Sequence, residues 1–328
     1  MECLEVHLDY EKQLEKFIER GMLVNNREQA IERLKHISYY KIKEFSEFFM
    51  DQNGKYKKKT YFEAVIQNFY FDKNLRMEFF KCSEKIELSV KNKITYILGA
   101  KYGAFGYLKF SNWCDRSIPK EKIEEEQERF KQKIKQKMKS FSENPIIKDF
   151  IKNNPSEEFP SIWRISEILT FGEILNIFQM MSQGNKRYVA STYNLTIAEF
   201  TSYINNMKLV RNLCAHNMAI INIRFKTVPK VDSKILEIVN KPNRISTSIL
   251  IMVYFIKIIN PNYRFFKLYH ILNQLIKRDY VARKYEIKEK KLIAKFLGIN
   301  FNKAEKLSSK NKKYINSLNN LNKKLRTK

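Results

Sequence analysis

"TYFEAVIQNFYFDKNLRMEFF", residues 60–80, decides the fold. Its apolar residues return every three or four positions, the period of an α-helix and not the alternation of a half-buried strand. The helical pattern carries on to Tyr102. Thr60 and Glu63 stand at capping-box spacing, at which each side chain can satisfy the other's free backbone N–H. Asp72 and Arg76 are four residues apart and can pair on one helical face. Taken alone, such a pair reads as a solvated contact worth a few tenths of a kcal/mol.

The same period appears in "EKQLEKFIERGMLV" (11–24) and "FGEILNIFQMM" (171–181). Only 8 Gly and 7 Pro in 328 residues leave few obligatory breaks, which favours long helices over a turn-rich β fold. With 44% hydrophobic and 13% aromatic residues, the chain can bury a substantial core. The expected fold is all-α.

Three segments follow from the pattern: 1–59, 60–225 and 226–328. The first holds two or three helices and ends at an Asn53-Gly54 turn and a basic "KYKKKT" loop. The second is the helical core. Within it "PKEKIEEEQERFKQKIKQKMKSF" (119–141) starts at a proline, with its acids leading and its lysines trailing, as the helix dipole favours. It reads as a protruding charged arm with a narrow apolar seam of Ile123, Phe130, Ile134 and Met138. The third segment opens with a prolyl connection (226–243). A buried helix, "ISTSILIMVYFIKIIN", and a further helical stretch around "RFFKLYHILNQLIK" come next.

Charge is the loudest global signal. Lys and Arg number 62 against 35 Asp and Glu, a formal +27. Residues 283–328 alone hold 15 Lys/Arg and 3 Glu, which is +12 of that total. A surface this cationic repels itself and calls for a polyanion, with nucleic acid favoured over acidic lipid. The longest apolar run, "SILIMVYFI" from Ser248, is about half of a bilayer span, and the acidic start lacks the layout of a signal peptide. Cys3, Cys82, Cys114 and Cys214 are scattered and read as reduced thiols, neither zinc ligands nor a disulfide frame. The expectation is a soluble cytoplasmic protein with no metal and no cofactor.

"KLVRNLCAHN" (208–217) carries the chemistry. Arg211 and His216 are separated by four residues, and the helix bearing them should run from about Ile197 to His216 or a little beyond. Spacing alone is a weak signal, since Arg264 and His270 show a similar one. Asn212 and His216, however, are four apart on one face, so the amide can hold the imidazole and fix its tautomer. His270 has aromatic neighbours and no such amide, and reads as a packing residue. An imidazole, able to take or give a proton at cellular pH, beside a forked guanidinium suits RNA cleavage without metal. His216 would assist attack of the ribose 2′-OH and Arg211 would stabilise the charge that builds on phosphate. One histidine serves one side of the scissile bond, so a second copy in a two-fold dimer would supply the other. H-E-x-x-H, Walker and G-x-S-x-G patterns are all missing, and Glu84, Glu87 and Lys91 read as structural more than as a metal cluster.

"RNLCAH" resembles the R-x4-6-H signature of HEPN ribonucleases, and its surroundings resemble the Abi family of bacterial abortive-infection proteins, the AbiD/AbiF-like group. The likeness runs in order over about residues 8–225: "LDYEKQLEKFIERGMLV", "ISYYKIKEF", "FYFDKNLRMEFFKCSEKIE", "PSIWRISEILTFGEI" and "VRNLCAHN", with Asn222 matching a further position. The resemblance implies an α-helical HEPN bundle with added N- and C-terminal helices. It implies a growth-arresting endoribonuclease in phage defence, with a paired active site and a small structured noncoding RNA as partner. Arg211, Asn212 and His216 become the catalytic set, while Asp72, Arg76 and Glu167 fall on scaffold positions. Ala219 stands where relatives commonly carry an arginine, and Arg224 is the candidate for that phosphate contact. Lys323, Lys324 and Arg326 in the tail are further candidates for RNA binding. The rival reading is an RNA-binding protein that keeps the bundle without catalysis.

Overall fold

The computed structural model describes residues 7–221, 223–231 and 242–276. Within them the chain forms twelve α-helices and no strand, the all-α fold expected. The first three are α1 (Tyr10–Ile18), α2 (Arg27–His36) and α3 (Tyr39–Ser46). Asp9, Asn26 and Ser38 cap them, each side chain accepting from a backbone N–H of the first turn. The long α4 (Phe62–Tyr102) follows, 41 residues and about 60 Å at 1.5 Å per residue. Gly103, at φ +78°, ends it.

The chain then builds α5 (Lys120–Ser140), α6 (Pro145–Asn153), α7 (Ile162–Ile168), α8 (Phe171–Met180), α9 (Gln183–Ser191) and α10 (Ile197–Ala215). Beyond these lie α11 (Ile245–Ile259) and α12 (Phe266–Ile276). The α4 helix is the axis of the molecule, and α3, α7, α8, α9, α10, α11 and α12 all pack on it. One continuous apolar cluster reaches from Leu14 to Leu272. Apolar on nearly every side, α11 is buried along most of its length, as a helix without a polar face must be.

Two local expectations change. The capping box lies elsewhere. Thr60 and Phe62 pair with the backbone of Leu23, so the chain is still extended at Tyr61 and the helix starts one residue later. Thr60 Oγ1 donates to Lys57 O, and Glu63 instead accepts from Asn25 N and Asn26 N at 3.1 and 3.3 Å. Complete boxes form at Thr170/Glu173 on α8 and Thr196/Glu199 on α10. The charged helix α5 does not stand free. Ile134 is fully buried, Ile123, Phe130 and Met138 pack beside it, and Lys133 and Lys137 pair with Glu173 at 3.2 and 3.1 Å. Its apolar seam is used as a docking stripe.

Candidate active site

The motif helix α10 is held at its start by the Thr196/Glu199 box: Thr196 N donates to Glu199 Oε2 at 2.8 Å and Glu199 N to Thr196 Oγ1 at 3.2 Å. Phe200, Tyr203, Ile204, Met207 and Val210 form its buried stripe, packed toward α4 and α11. The opposite face carries Asn205, Leu209, Asn212 and His216, all exposed or half-buried. The helix spans the residues expected, and His216 is its C-cap.

That end of α10 closes as a Schellman motif. Met218 N donates to Leu213 O at 2.9 Å and Asn217 N to Cys214 O at 3.2 Å, while Asn217 takes the left-handed conformation at φ +57°. An asparagine there is a low-strain choice. The His216 imidazole stands exposed at this corner, away from apolar packing.

Arg211 is held on three sides. Nη2 lies 3.5 Å from Glu87 Oε2, Nη1 donates to Asn212 Oδ1 at 3.2 Å, and the guanidinium carbon sits 5.6 Å from the centre of the Phe80 ring. Its side chain keeps 32% of its surface open. The Asn212 amide thus faces the guanidinium in this chain, and the imidazole makes no hydrogen bond among the described residues. Cys214, inside the motif, is pushed up to about 12 by burial, so its thiol stays protonated and is no nucleophile.

Behind the motif lies a buried polar node. Asp72 and Arg76, 0% and 5% exposed, pair at 2.6 Å through Arg76 Nε. The other carboxylate oxygen accepts from Ile220 N and Ile221 N, both at 2.9 Å. Arg76 Nη1 donates to Asn217 Oδ1, and Lys41 Nζ donates to Asn217 O at 3.1 Å. Burial raises the Asp72 carboxyl above its ordinary value, against the pull of Arg76 and the two backbone donors. This pair is no solvated surface contact. It ties α4 to the turn that follows His216.

Other expected residues are placed as follows. Arg224 is exposed, its backbone bridged to Arg244, and its side chain has no ion pair or hydrogen bond among the described residues. Glu84 is exposed, Glu87 turns to Arg211, and Lys91 donates to Leu169 O at 3.0 Å, so the three form no cluster. His270 is half-buried beside Tyr269. Glu167 is exposed on α7. Cys82, Cys114 and Cys214 are free thiols. Asn222, Cys3, Lys323, Lys324, Arg326 and the basic tail lie outside the described residues. Among those described, no helix is long and apolar enough to cross a membrane.

Sequence reasoning missed Lys41, Phe80 and Asn217 as neighbours of the motif. Only Asn217 left a signal: an asparagine directly after the last helical residues is a C-terminal stop. Comparison with curated proteins and with solved structures gave no match. A family model described as Abi-like protein does match, over residues 32–222, more than half of the chain. That stretch begins in α2, takes in the Lys41, Asp72 and Arg76 contacts, and ends just beyond the Arg211–His216 helix. The chain therefore belongs to the Abi-like protein family, a membership that points toward abortive-infection defence against phage.

Proposed function

We propose that this protein is a metal-independent endoribonuclease toxin of an abortive-infection system, with a HEPN-type site completed by a second copy of the chain. The observation that carries the reading is that an exposed imidazole and a partly open guanidinium both stand in the last turns of one well-anchored helix. Arg211 is stacked and counter-charged, not buried, so a phosphate can compete with Glu87 for it. His216 is exposed and therefore reachable by a ribose hydroxyl. In the step proposed, His216 takes the proton of the 2′-OH as it attacks the adjacent phosphorus. Arg211 stabilises the added negative charge, and the 5′-oxygen leaves with a proton from the second copy's imidazole. General acid–base help of this kind contributes about 10²–10⁴-fold.

Two features support the dimer and the RNA partner. Phe80 touches Arg211, Leu209 lies one turn before Asn212 on the same face, and Met218 follows the motif, and all three large apolar side chains are exposed. A copy docked there would remove apolar surface from water, at about 25 cal/mol per Å². The +27 charge gives the protein a strong attraction for a structured noncoding RNA, whether as guide, antitoxin or substrate.

The test is purified protein with end-labelled RNA in EDTA. Cleavage leaving 2′,3′-cyclic phosphate ends, lost in His216→Ala, is expected. RNA that stays intact yet bound, with equal affinity for His216→Ala, would establish the non-catalytic RNA-binding alternative.

A further inference from the structure

We propose that Asn217 and the two cations gripping it, Lys41 and Arg76, form a positioning clamp that holds the last turn of α10 and with it the corner from which the His216 imidazole leaves the helix. Its consequence for turnover rests on the ribonuclease reading above, whereas the geometry stands apart from it.

Asn217 is a residue at which three of the described elements meet beside the motif. Its backbone closes the end of α10, its side-chain oxygen accepts from Arg76 on α4, and its carbonyl oxygen accepts from Lys41 on α3. Neither cation is loose. Lys41 is also held by Glu44 Oε2 at 2.7 Å, and Arg76 is fixed by Asp72. Asp72 in turn fixes the backbone of Ile220 and Ile221, so the turn is pinned on both sides of residues 218–219.

The left-handed residue at a helix end lets the next N–H groups close back on the last carbonyls, so whatever holds that residue also holds the last turn. His216 caps that turn and has no side-chain partner of its own among the described residues. The direction of its Cα–Cβ bond is set by the last turn of α10, where His216 N donates to Asn212 O at 2.9 Å, and the closure at Asn217 and Met218 keeps that turn from fraying. This arrangement holds the corner at which the imidazole sits and leaves the imidazole itself free for substrate. These are positioning residues, since none touches a reacting atom.

Glycine at position 217 adopts φ +57° without strain but offers Arg76 no acceptor, whereas aspartate keeps the oxygen. The experiment compares Asn217→Gly, Asn217→Asp and Lys41→Met with the full-length protein. Thr196→Ala, which weakens the far end of the same helix, serves as the control for lost stability. Selective ¹⁵N-histidine labelling reports the ring and amide signals of His216 among only four histidines. Asn217→Gly and Lys41→Met should shift the His216 signals, and Asn217→Asp should restore them. In cleavage assays Asn217→Gly should lower kcat about 10- to 100-fold with KM changed less than about 2-fold, as a small misplacement of a reacting group does. Thr196→Ala should do neither. His216 signals in Asn217→Gly that match those of wild type or of Thr196→Ala would overturn the clamp. If wild type cleaves no RNA, the ribonuclease reading falls while the ring signals still decide the clamp.

Discussion

Replacing Asp72 with alanine separates two energetic descriptions of the same four-residue spacing. As an exposed pair on a helix, Asp72 and Arg76 would contribute about 0.3–0.5 kcal/mol, and losing one would scarcely register. The structure puts the carboxylate at 0% exposure, with Arg76 Nε at 2.6 Å and two backbone N–H groups at 2.9 Å. Removing it leaves a guanidinium only 5% exposed without its counter-charge, which costs about 3–5 kcal/mol. Two backbone donors also lose their acceptor, at about 1–3 kcal/mol each where they stay dry. These terms overlap, because one entering water can serve several donors, so the expected loss is about 4 kcal/mol. Against a total stability of about 5–15 kcal/mol that is a severe lesion. Asp72→Asn retains one acceptor oxygen and should cost about 1–3 kcal/mol, which keeps the measurement possible should the alanine variant not fold.

The assay is urea unfolding of wild type, Asp72→Asn, Arg76→Met and the double variant, followed by far-UV circular dichroism. Once the guanidinium is gone, a neutral residue at 72 no longer strands a charge. The double variant should therefore be less destabilised than the two singles added, by about 1–3 kcal/mol. Full relief is not expected, since removing the guanidinium also takes the donor from Asn217 Oδ1. A cost below about 1 kcal/mol for both singles, or additivity within about 0.5 kcal/mol, would refute the buried node.

Three further outcomes follow from the same structure. Thr196→Ala removes the acceptor for Glu199 N and should cost about 1 kcal/mol in thermal unfolding; a melting point unchanged within error would count against the cap. Glu173, although burial pushes it up, is held below its ordinary carboxyl value by Thr170, Lys137 and Lys133. A depressed carboxyl contributes stability above its unfolded pKa of about 4.3 and loses it as pH falls through the folded value. Glu173→Gln should therefore destabilise at pH 7, and the gap to wild type should close below about pH 4; a gap independent of pH would sink this assignment. Deleting residues 283–328 removes 12 net positive charges. RNA binding should weaken, and the slope of log affinity against log salt should flatten by about 0.7–0.9 for each phosphate the tail had neutralised; an unchanged slope would show that the tail faces elsewhere.

What the sequence disclosed and what it hid have a common physical cause. Periodicity is a local property, so α4, α10 and α11 are legible from their own residues, and the end of α10 at His216 follows from its own pattern. Burial of a polar residue is not local. Asp72 and Arg76 carry the same spacing on a wet face as in a core, and only the arrival of residues 217–221 over α4 makes them interior. The same reasoning explains the misplaced box: Thr60 and Glu63 have the right interval, but pairing with Leu23 keeps the backbone extended one residue too long. It also explains Asn212, whose position one turn before His216 permits a contact to the imidazole. The Arg211 guanidinium, itself steadied by Glu87 and Phe80, takes the amide oxygen instead. In each case a short-range pattern narrows the partners to a few, and a distant segment of chain, or a stronger neighbour, decides among them. Lys41 lies 176 residues from Asn217 and Arg76 lies 141, and at such separations a single sequence carries no pairwise signal. A motif helix can therefore be read directly from its own residues, whereas the groups that hold its end become visible only once the chain is folded.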